Sequence, residues 1–473
     1  MDMTVDTIAA IATAPGVGGV GIVRISGPAA KALLHAVFRP GNPKFKEFKP
    51  WLLHYGRIVD SEDNILDEAL AVYMPGPRSF TGEDVAELHC HGGPAILHAV
   101  LEELFRHGAR LAGPGEFTRR AFMNGRIDLS QAEAVAEAIA APGKDALIAA
   151  QTKLHGGLSG LVSELRSRLL DLRSSLVLAV DFPEEEMDII PVEKIKSDLE
   201  TVLEQIKTLL AAHKRMQTFR EGALVVIAGQ VNVGKSSLLN AMLGRNRAIV
   251  TQYPGTTRDF LEENLLIDGL PVRLVDTAGL RSTNDVVEQQ GLELARELFA
   301  QADLILMLVD ILQGPAQYEV DLLSQFGPDK IIGVVNKCDL AESQNRFWPE
   351  GDVEPVFCEL QQSLTWLKIS AKFGQGIDRL TATVRERLLD LSGGRVKLPE
   401  AAWNIAPNLR QAQVLEMAQT EGEGIIADLD QEVPYDLIGV RVELMSAILA
   451  EVSGEIASDD VLDRIFAEFC LGK

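Results

Sequence analysis

The spacing of hydrophobic residues changes along the chain and separates it into regions. In residues 1 to about 120, short β-rich runs at 20–25 and 69–73 alternate with Gly/Pro turns and a helical stretch at 95–106. That mixture predicts an α/β or α+β domain. From about 128 to 219 the apolar positions follow the helical period instead, and they predict long helices.

One stripe shows the helical period clearly, since Leu199, Leu203, Ile206 and Leu210 fall on a single helix face. Helical periodicity returns from 440 to 469, after a segment that ends near 389. The simplest interpretation is a helical domain interrupted by an inserted domain, because a domain whose ends lie close together can be inserted into another.

We therefore predict a multidomain fold with an N-terminal α/β domain, a helical domain and an inserted α/β domain. The predicted boundaries are 1–120 for the N-terminal domain, 121–218 for the first helical half, 219–389 for the insertion and 390–473 for the second helical half. The length of 473 residues allows about three domains.

The insertion begins with a glycine-rich loop directly after the apolar run 223–228. The loop reads Gly229-Gln230-Val231-Asn232-Val233-Gly234-Lys235-Ser236, the strand–loop–helix setting of a P-loop. Such a loop turns consecutive N–H groups toward phosphates, and the following helix adds its dipole. We expect Lys235 to reach the β- and γ-phosphates and the Ser236 hydroxyl to ligate Mg²⁺.

Three further motifs follow in order, each after an apolar strand: Asp276-Thr277-Ala278-Gly279, Asn336-Lys337-Cys338-Asp339 and Ser370-Ala371-Lys372. The first is typical of γ-phosphate sensing, with Asp276 near Mg²⁺. The Asp339 carboxylate suits the N1–H and exocyclic amine of guanine, a donor pair that adenine lacks. Together with the P-loop, these motifs predict a Ras-like G domain that binds GTP.

Catalysis by this domain needs an unusual explanation, because Leu280 stands where Ras-type GTPases carry the glutamine that orients water. Asn232 offers a neutral oxygen suited to a monovalent cation, although a turn residue tolerant of left-handed geometry explains it too. Glu288, a turn or two beyond the Asp276–Gly279 motif, is a further candidate for contact with a water, but its spacing alone favours a solvated helix face.

The segment 251–259 is the predicted switch, and its backbone and hydroxyl oxygens can complete the coordination of such a cation. Thr257 is the predicted second Mg²⁺ ligand beside Ser236. The full predicted GTP-binding set comprises Asn232, Val233, Gly234, Lys235, Ser236, Ser237, Thr251, Gln252, Tyr253, Pro254, Gly255, Thr256, Thr257, Asp276, Thr277, Ala278, Gly279, Asn336, Lys337, Asp339, Ser370, Ala371 and Lys372.

Composition narrows the possible partners and the compartment. The formal charge of −23, from 68 acidic and 45 basic residues, excludes nucleic-acid binding through a general electrostatic field. No run of 18 uncharged apolar residues occurs, so no membrane partner is expected. The 4 cysteines without CxxC spacing indicate reduced thiols and a cytoplasmic location.

The sequence ends in Cys470-Leu471-Gly472-Lys473. A prenylation box is disfavoured, because Gly472 is not aliphatic and no polybasic segment precedes the cysteine. We expect a thiol on a flexible tail, suited to a reactive site that a small molecule can reach.

The chain closely resembles the MnmE (TrmE) family of bacterial tRNA wobble-uridine modification GTPases over its whole length. Besides Leu280 and the tail, the resemblance rests on Asp6-Thr7-Ile8, Gly19 to Gly27, Phe80 to Val85, Pro114 to Thr118 and Gly255 to Asp259. It implies a homodimer formed through an N-terminal domain that binds 5-formyltetrahydrofolate or a related tetrahydrofolate.

The resemblance assigns roles residue by residue. Arg24, Glu87, Arg126 and Lys473 occupy the folate-contact positions, and Arg126 replaces what is often a lysine. Cys470 matches a functionally important tail cysteine, which the resemblance makes a catalytic candidate. For the G domain, the potassium-loop ligands would be Asn232, Thr251, Tyr253 and Thr256, while Glu288 would organise the hydrolytic water.

The implied activity is GTP hydrolysis activated by K⁺ when two G domains dimerise. Family members act with the FAD-dependent MnmG protein in a heterotetramer-type complex. They place (carboxymethyl)aminomethyl groups on C5 of the wobble uridine of tRNA. The flavin and much of the tRNA contact would then belong to the partner. The alternative is a ribosome-assembly or regulatory GTPase, which requires neither a folate-type domain nor a tail cysteine.

Overall fold

The computed structural model describes residues 6–181, 191–246, 262–276, 297–315, 317–340, 364–391 and 403–473. These residues divide into two compact units. The first unit comprises Met1–Ile139, Lys153–Val202 and Met417–Lys473, and the second comprises Ala140–Thr152 and Leu203–Glu416. The four segment boundaries given above stay predictions.

The N-terminal part of the first unit is an α/β domain built on a seven-stranded sheet. Its elements are β1 (Ile8–Ile11), β2 (Gly18–Ser26), α1 (Ala30–Val37), β3 (Phe38–Pro40), β4 (His54–Val59), β5 (Ile65–Met74), β6 (Val85–Gly92), α2 (Pro94–Arg106), β7 (Arg110–Leu111) and α3 (Glu116–Met123). The strand order is β3-β4-β5-β6-β2-β1-β7. The predicted strands at 20–25 and 69–73 and the predicted helix at 95–106 are confirmed.

The central strands of this sheet place two polar side chains side by side. β2 and β6 are antiparallel, and their register pairs Arg24 with Glu87. One face of β2 carries Val23 and Ile25 into the core, which leaves Arg24 on the opposite face. Strand alternation therefore directs this ion pair away from the apolar core that α1 and α2 cover.

Four helices follow: α4 (Leu129–Ala140), α5 (Lys144–Leu154), α6 (Gly157–Asp181) and α7 (Val192–Glu221). The predicted stripe is confirmed for Leu199, Leu203 and Ile206, which are buried, whereas Leu210 is only half-buried beside the buried Leu209. The predicted change from mixed structure to helices is thus confirmed in the described part of 128–219.

A second sheet of six strands forms the α/β domain of the second unit. Its elements are β8 (Ala223–Gly229), α8 (Lys235–Asn246), β9 (Glu262–Ile267), β10 (Leu270–Asp276), β11 (Leu304–Asp310), α9 (Gln317–Phe326), β12 (Ile331–Asn336), β13 (Trp366–Lys368) and α10 (Ile377–Leu389). The order is β13-β12-β11-β8-β10-β9, and all neighbours are parallel except β9 and β10.

Every residue of β8, β11 and β12 is buried, as expected for central parallel strands covered on both faces. The chain order reverses at β8, which lies between β11 and β10. In open parallel sheets ligands bind beyond the carboxyl ends of the strands at such a reversal. The fold therefore places the loop after β8 where a ligand is expected.

The chain closes with α11 (Leu409–Asp430), α12 (Tyr435–Ser453) and α13 (Asp459–Ala467). Within the first unit α12 packs along α6, and Arg173 pairs with Glu443 across that contact at 2.9 Å. The predicted multidomain fold of mixed α/β and helical parts is confirmed. Among the described helices, none has the length and apolar character that a membrane crossing requires.

Candidate functional site

The loop between β8 and α8 has the backbone that its glycines predict. Gly229 has φ +148°, and a Cβ there would lie 2.5 Å from the Leu308 carbonyl oxygen. Gly234 has φ +101°, and a Cβ there would lie 2.4 Å from Asn336 Nδ2. Both positions require glycine, since any larger residue meets the neighbouring strand end as well as backbone strain.

Asn232 adopts the left-handed conformation with φ +63°. Asparagine tolerates this region better than most residues, and this is the geometry that the turn explanation for Asn232 expects. The finding concerns the backbone and leaves the exposed side chain available for ligand binding.

The phosphate-binding lysine is buried and held by the loop itself. Lys235 Nζ donates to the carbonyl oxygens of Gly229 at 2.9 Å and Gln230 at 2.8 Å. Beside it, the Ser236 hydroxyl donates to Asp276 Oδ2 at 2.7 Å, and Asp276 is 2 % exposed. The predicted Mg²⁺ ligand, on the first turn of α8, and the predicted metal-proximal carboxylate, at the end of β10, are therefore in direct contact.

Asn336 links the phosphate loop to the predicted guanine loop. Its Nδ2 donates to the Val233 carbonyl oxygen at 2.8 Å, and its Oδ1 accepts from the Ala371 N–H at 3.0 Å. Ser370 Oγ donates to Asp339 Oδ1 at 2.6 Å, which orients one oxygen of the predicted guanine-binding carboxylate. Motifs separated by more than 100 residues thus meet at one edge of the sheet.

The remaining described members of the predicted set lie around this edge. Val233 is buried, Ser237 is exposed on the first turn of α8, and Lys372 is exposed with Nζ 5.3 Å from the centre of the Phe373 ring. Outside the described residues lie Thr251, Gln252, Tyr253, Pro254, Gly255, Thr256, Thr257, Thr277, Ala278, Gly279, Leu280 and Glu288.

Sequence reasoning missed Asp310, at the end of β11. Its carboxylate pairs with Lys337 Nζ at 2.7 Å, and the same amine donates to the Asn232 carbonyl oxygen at 2.9 Å. Asp310 is 6 % exposed and belongs to none of the predicted motifs. Its position at the carboxyl end of a buried strand, between two motif strands, was the available signal.

A second polar site lies in the first unit, on the face of the N-terminal sheet that carries Arg24. Arg24 Nε donates to Glu87 Oε1 at 2.9 Å, and His89 Nε2 lies 3.1 Å from Glu87 Oε2. Burial alone would raise the pKa of Glu87, but the His89 hydrogen bond and the Arg24 charge outweigh it and lower the pKa. The carboxylate therefore stays ionised in a largely buried setting.

The C-terminal residues complete this second site. Arg24 Nη1 donates to the Gly472 carbonyl oxygen at 3.4 Å. Burial, followed by the Arg24 charge, lowers the pKa of the Lys473 amine, while Glu87 and Cys470 act in the opposite direction. The structure thus brings together three of the four predicted folate-contact residues.

Arg126, the fourth, is exposed and lies at the rim. Its Nε donates to the Ser79 carbonyl oxygen at 3.2 Å, and its Cγ lies 3.1 Å from where a Gly82 Cβ would be. The adjacent Phe80 ring has its centre 5.9 Å from the Arg24 guanidinium carbon. The segment 79–82 therefore connects Arg126 to the Arg24 side of the site.

The tail is docked rather than flexible, which corrects the expectation from sequence. Phe469 is buried against Phe466, and Gly472 is buried with φ +86°. The Gly115 N–H donates to the Cys470 carbonyl oxygen at 3.5 Å. Cys470 itself remains exposed, so docking fixes the backbone while leaving the thiol accessible.

Sequence reasoning also missed Arg120, on which three N-terminal motifs converge. Its guanidinium pairs with Asp6 at 2.6 Å, Glu116 at 3.0 Å and Glu83 at 3.2 Å. Burial lowers the pKa of Arg120, but its hydrogen bond to Asp6 and the other carboxylates raise it overall. Only the Glu116–Arg120 pair, four residues apart on α3, has a local spacing, and the partners Asp6 and Glu83 are far from Arg120 in the sequence.

The geometry of the second unit defines the class of protein. A mostly parallel sheet with its P-loop at the strand-order reversal, joined by Asn336 to a guanine-type loop, is the architecture of a P-loop G domain.

Comparison with known proteins narrows the class to a family. The model of the GTP-binding protein TrmE N-terminus matches residues 7–126, and that of the MnmE helical domain matches 129–470. A tRNA modification GTPase MnmE from Nitratidesulfovibrio vulgaris (strain DP4) is 51 % identical over 468 residues, 99 % of either chain. The Lawsonia intracellularis relative of the same name is 45 % identical, over 99 % of this chain and 100 % of its own. The chain belongs to the MnmE family.

Proposed function

We propose that the chain hydrolyses GTP as the GTPase subunit of a complex that installs (carboxymethyl)aminomethyl groups at C5 of wobble uridine in tRNA. The observation that carries the GTP part is the double role of Asn336, which joins phosphate loop and guanine loop through bonds of 2.8 and 3.0 Å. The name shared by the relatives, tRNA modification GTPase MnmE, supports the tRNA part.

In the proposed reaction Lys235 leaves the carbonyl oxygens of its own loop and binds the β- and γ-phosphates. Ser236 and Asp276 supply hydroxyl and carboxylate oxygens, the donor type that Mg²⁺ prefers, so the residues present fit this ion. Bound Mg²⁺ neutralises charge that develops on the phosphates. Thr257 is the proposed second ligand.

Hydrolysis in this proposal depends on K⁺, because Leu280 cannot orient water. The exposed Asn232 side chain offers an amide oxygen beside the phosphate loop, a donor that fits an alkali cation. Thr251, Tyr253 and Thr256 are the other proposed ligands, and Glu288 the proposed water-organising residue.

For the second site we propose a tetrahydrofolate, such as 5-formyltetrahydrofolate. Glu87 offers an ionised acceptor for ring N–H groups, while Arg24 and Lys473 beside it offer donors. Arg126 at the rim suits an anionic tail of the ligand. Cys470, exposed on a docked backbone, is proposed as the reactive thiol of the modification step.

The proposed assembly is a homodimer acting in the cytoplasm with the FAD-dependent MnmG protein. The chain has 68 acidic and only 45 basic residues. Because tRNA is an anion, this balance supports a partner that contributes much of the tRNA contact. The four segments predicted from sequence remain the proposed domain division.

Nucleotide choice tests the G-domain part. Asp339→Asn replaces one acceptor oxygen by a donor amide, so it should lose GTP hydrolysis and gain hydrolysis of xanthosine triphosphate, whose C2 carries an oxygen. Turnover of both nucleotides by wild type and variant measures the switch. A wild-type protein that hydrolyses ATP as well as GTP would contradict the guanine proposal.

Cation choice is tested by GTP turnover of the full chain in KCl and in NaCl at equal ionic strength. The proposal requires turnover in K⁺ and its loss in Na⁺ alone. Equal rates in the two salts would refute the potassium proposal while leaving GTP binding intact.

Nucleoside analysis of tRNA from a deletion strain tests the modification part. Wild type should restore the modified wobble uridine, while Cys470→Ser should hydrolyse GTP normally and restore none. Unchanged wobble nucleosides in the deletion strain would favour the alternative of a purely regulatory GTPase.

A further inference from the structure

Asp310 occupies a central place at the ligand edge of the second sheet. β11 lies between β8, which leads into the phosphate loop, and β12, which leads into the guanine loop. In the register of the two strands, Asp310 at the end of β11 is paired with Asn336 at the end of β12. Asp310 thus stands between the two loops that hold the two ends of a nucleotide.

The carboxylate of Asp310 is fixed in place. The side-chain Oδ1 accepts from the Leu312 N–H at 2.9 Å. The backbone carbonyl oxygen of Asp310 accepts from the Gly314 N–H at 2.9 Å, which holds the same turn. With 6 % of the residue exposed, the carboxylate is screened little by solvent. Oδ2 is therefore a preorganised anchor for a cationic side chain.

Lys337 connects the Asp310 carboxylate to the phosphate loop. Its Nζ pairs with Asp310 Oδ2 at 2.7 Å and donates to the Asn232 carbonyl oxygen at 2.9 Å. Both Lys337 and Asn232 have left-handed backbones, with φ +64° and +63°. Few non-glycine residues adopt such a conformation, and contacts of this kind stabilise it.

We propose that Asp310 is a positioning residue for the nucleotide reaction. Through Lys337 it holds the Asn232 backbone in its left-handed conformation, which presents the Asn232 side chain at the phosphate loop. This inference rests on the proposed GTP and K⁺ functions. It adds a residue outside every recognised motif, and one that connects guanine binding to the place of the cation ligand.

The test compares Asp310→Asn with Asp329→Asn in the full chain. Asp329 is a matched control, because it makes an exposed ion pair of 3.9 Å with Arg387 in the same unit. Stopped-flow release of mant-GDP in Na⁺ buffer should be about ten-fold faster for Asp310→Asn, since hydrogen bonds to charged groups contribute strongly to binding. The control should match wild type within two-fold.

A double-mutant cycle separates positioning from general destabilisation. Lys337→Met removes the same ion pair from the other side and keeps the aliphatic stem. Because both changes cut one interaction, the double variant should release mant-GDP no faster than Lys337→Met alone. Additive acceleration, or release rates of Asp310→Asn equal to those of the control, would overturn the proposal.

A third experiment tests the link to the cation by measuring GTP turnover at saturating GTP over a range of K⁺ concentrations. The K⁺ concentration for half-maximal turnover should rise about ten-fold in Asp310→Asn and be partly restored in Asp310→Glu. A rise equal to that of the control would overturn the positioning of Asn232. If wild type shows no K⁺ dependence, the potassium proposal fails while the mant-GDP arm still decides the role of Asp310.

Discussion

Gly472 offers a precise way to detach the tail from the second site. A Cβ at this position would lie 2.2 Å from the Ile11 carbonyl oxygen and 2.9 Å from the Ala12 Cα. Both are backbone atoms, so no side-chain rotation relieves the overlap. The φ of +86° adds strain for any residue with a Cβ.

The size of the effect of Gly472→Ala follows from these two costs. The left-handed backbone costs alanine about 1–2 kcal/mol, and insertion of a methyl group into a packed contact costs about 1–3 kcal/mol. A total of about 2 kcal/mol or more reduces the docked population about 30-fold or more. Phe469 stays anchored by its aromatic contact with Phe466, so the displacement is confined to residues beyond it.

Two assays measure the displacement. Hydrogen exchange of residues 470–473 should accelerate, and calorimetric titration with 5-formyltetrahydrofolate should show an affinity about 10- to 100-fold lower, because Lys473 leaves the Arg24 and Glu87 side chains. Turnover of GTP, which depends on the other unit, should not change.

Gly108→Ala is the matched control. Its φ of +99° imposes similar backbone strain, but a Cβ there would meet nothing within 4 Å. It should bind the folate as wild type does. If Gly472→Ala also bound the folate like wild type and exchanged its tail amides no faster, the docking argument would be refuted.

Two further outcomes follow from the packing and the charges. Gly333→Ala would put a Cβ 2.4 Å from Trp366 Cε3, so we expect about 1–3 kcal/mol lower unfolding free energy and a lower Tm by calorimetry. For Glu87 the folded pKa lies below the ordinary 4.5, so its ionised form stabilises the fold above pH 4.5 and this contribution is lost as the pH falls through the folded pKa. Acid unfolding of the wild type is compared with that of Glu87→Gln. The variant should lack this pH dependence, and the difference measures the contribution of Glu87.

The fold could be predicted where local patterns are strong. Apolar runs that coincide with β8 and with most of β12, each followed by a motif loop, predicted the α/β G domain that binds GTP. The roles of Asp310 and Arg120 could not be predicted, because Lys337 for the first and Asp6 and Glu83 for the second are far away in the sequence. Docking of the tail was missed for the same reason, since a short Gly-containing segment carries no periodic signal.

The Arg120 network changes the meaning of the N-terminal motifs. Asp6, Glu83 and Glu116 bind Arg120, and Ser26 donates to Glu83 at 2.7 Å, so these polar residues bind one another. The Arg120 guanidinium is only partly exposed and needs such partners, because an unpaired charge in that setting is destabilising. The carboxylates of Asp6, Glu83 and Glu116 therefore stabilise Arg120 and the fold around it. The Glu87 carboxylate lies beside the terminal residues and remains available to the proposed folate site.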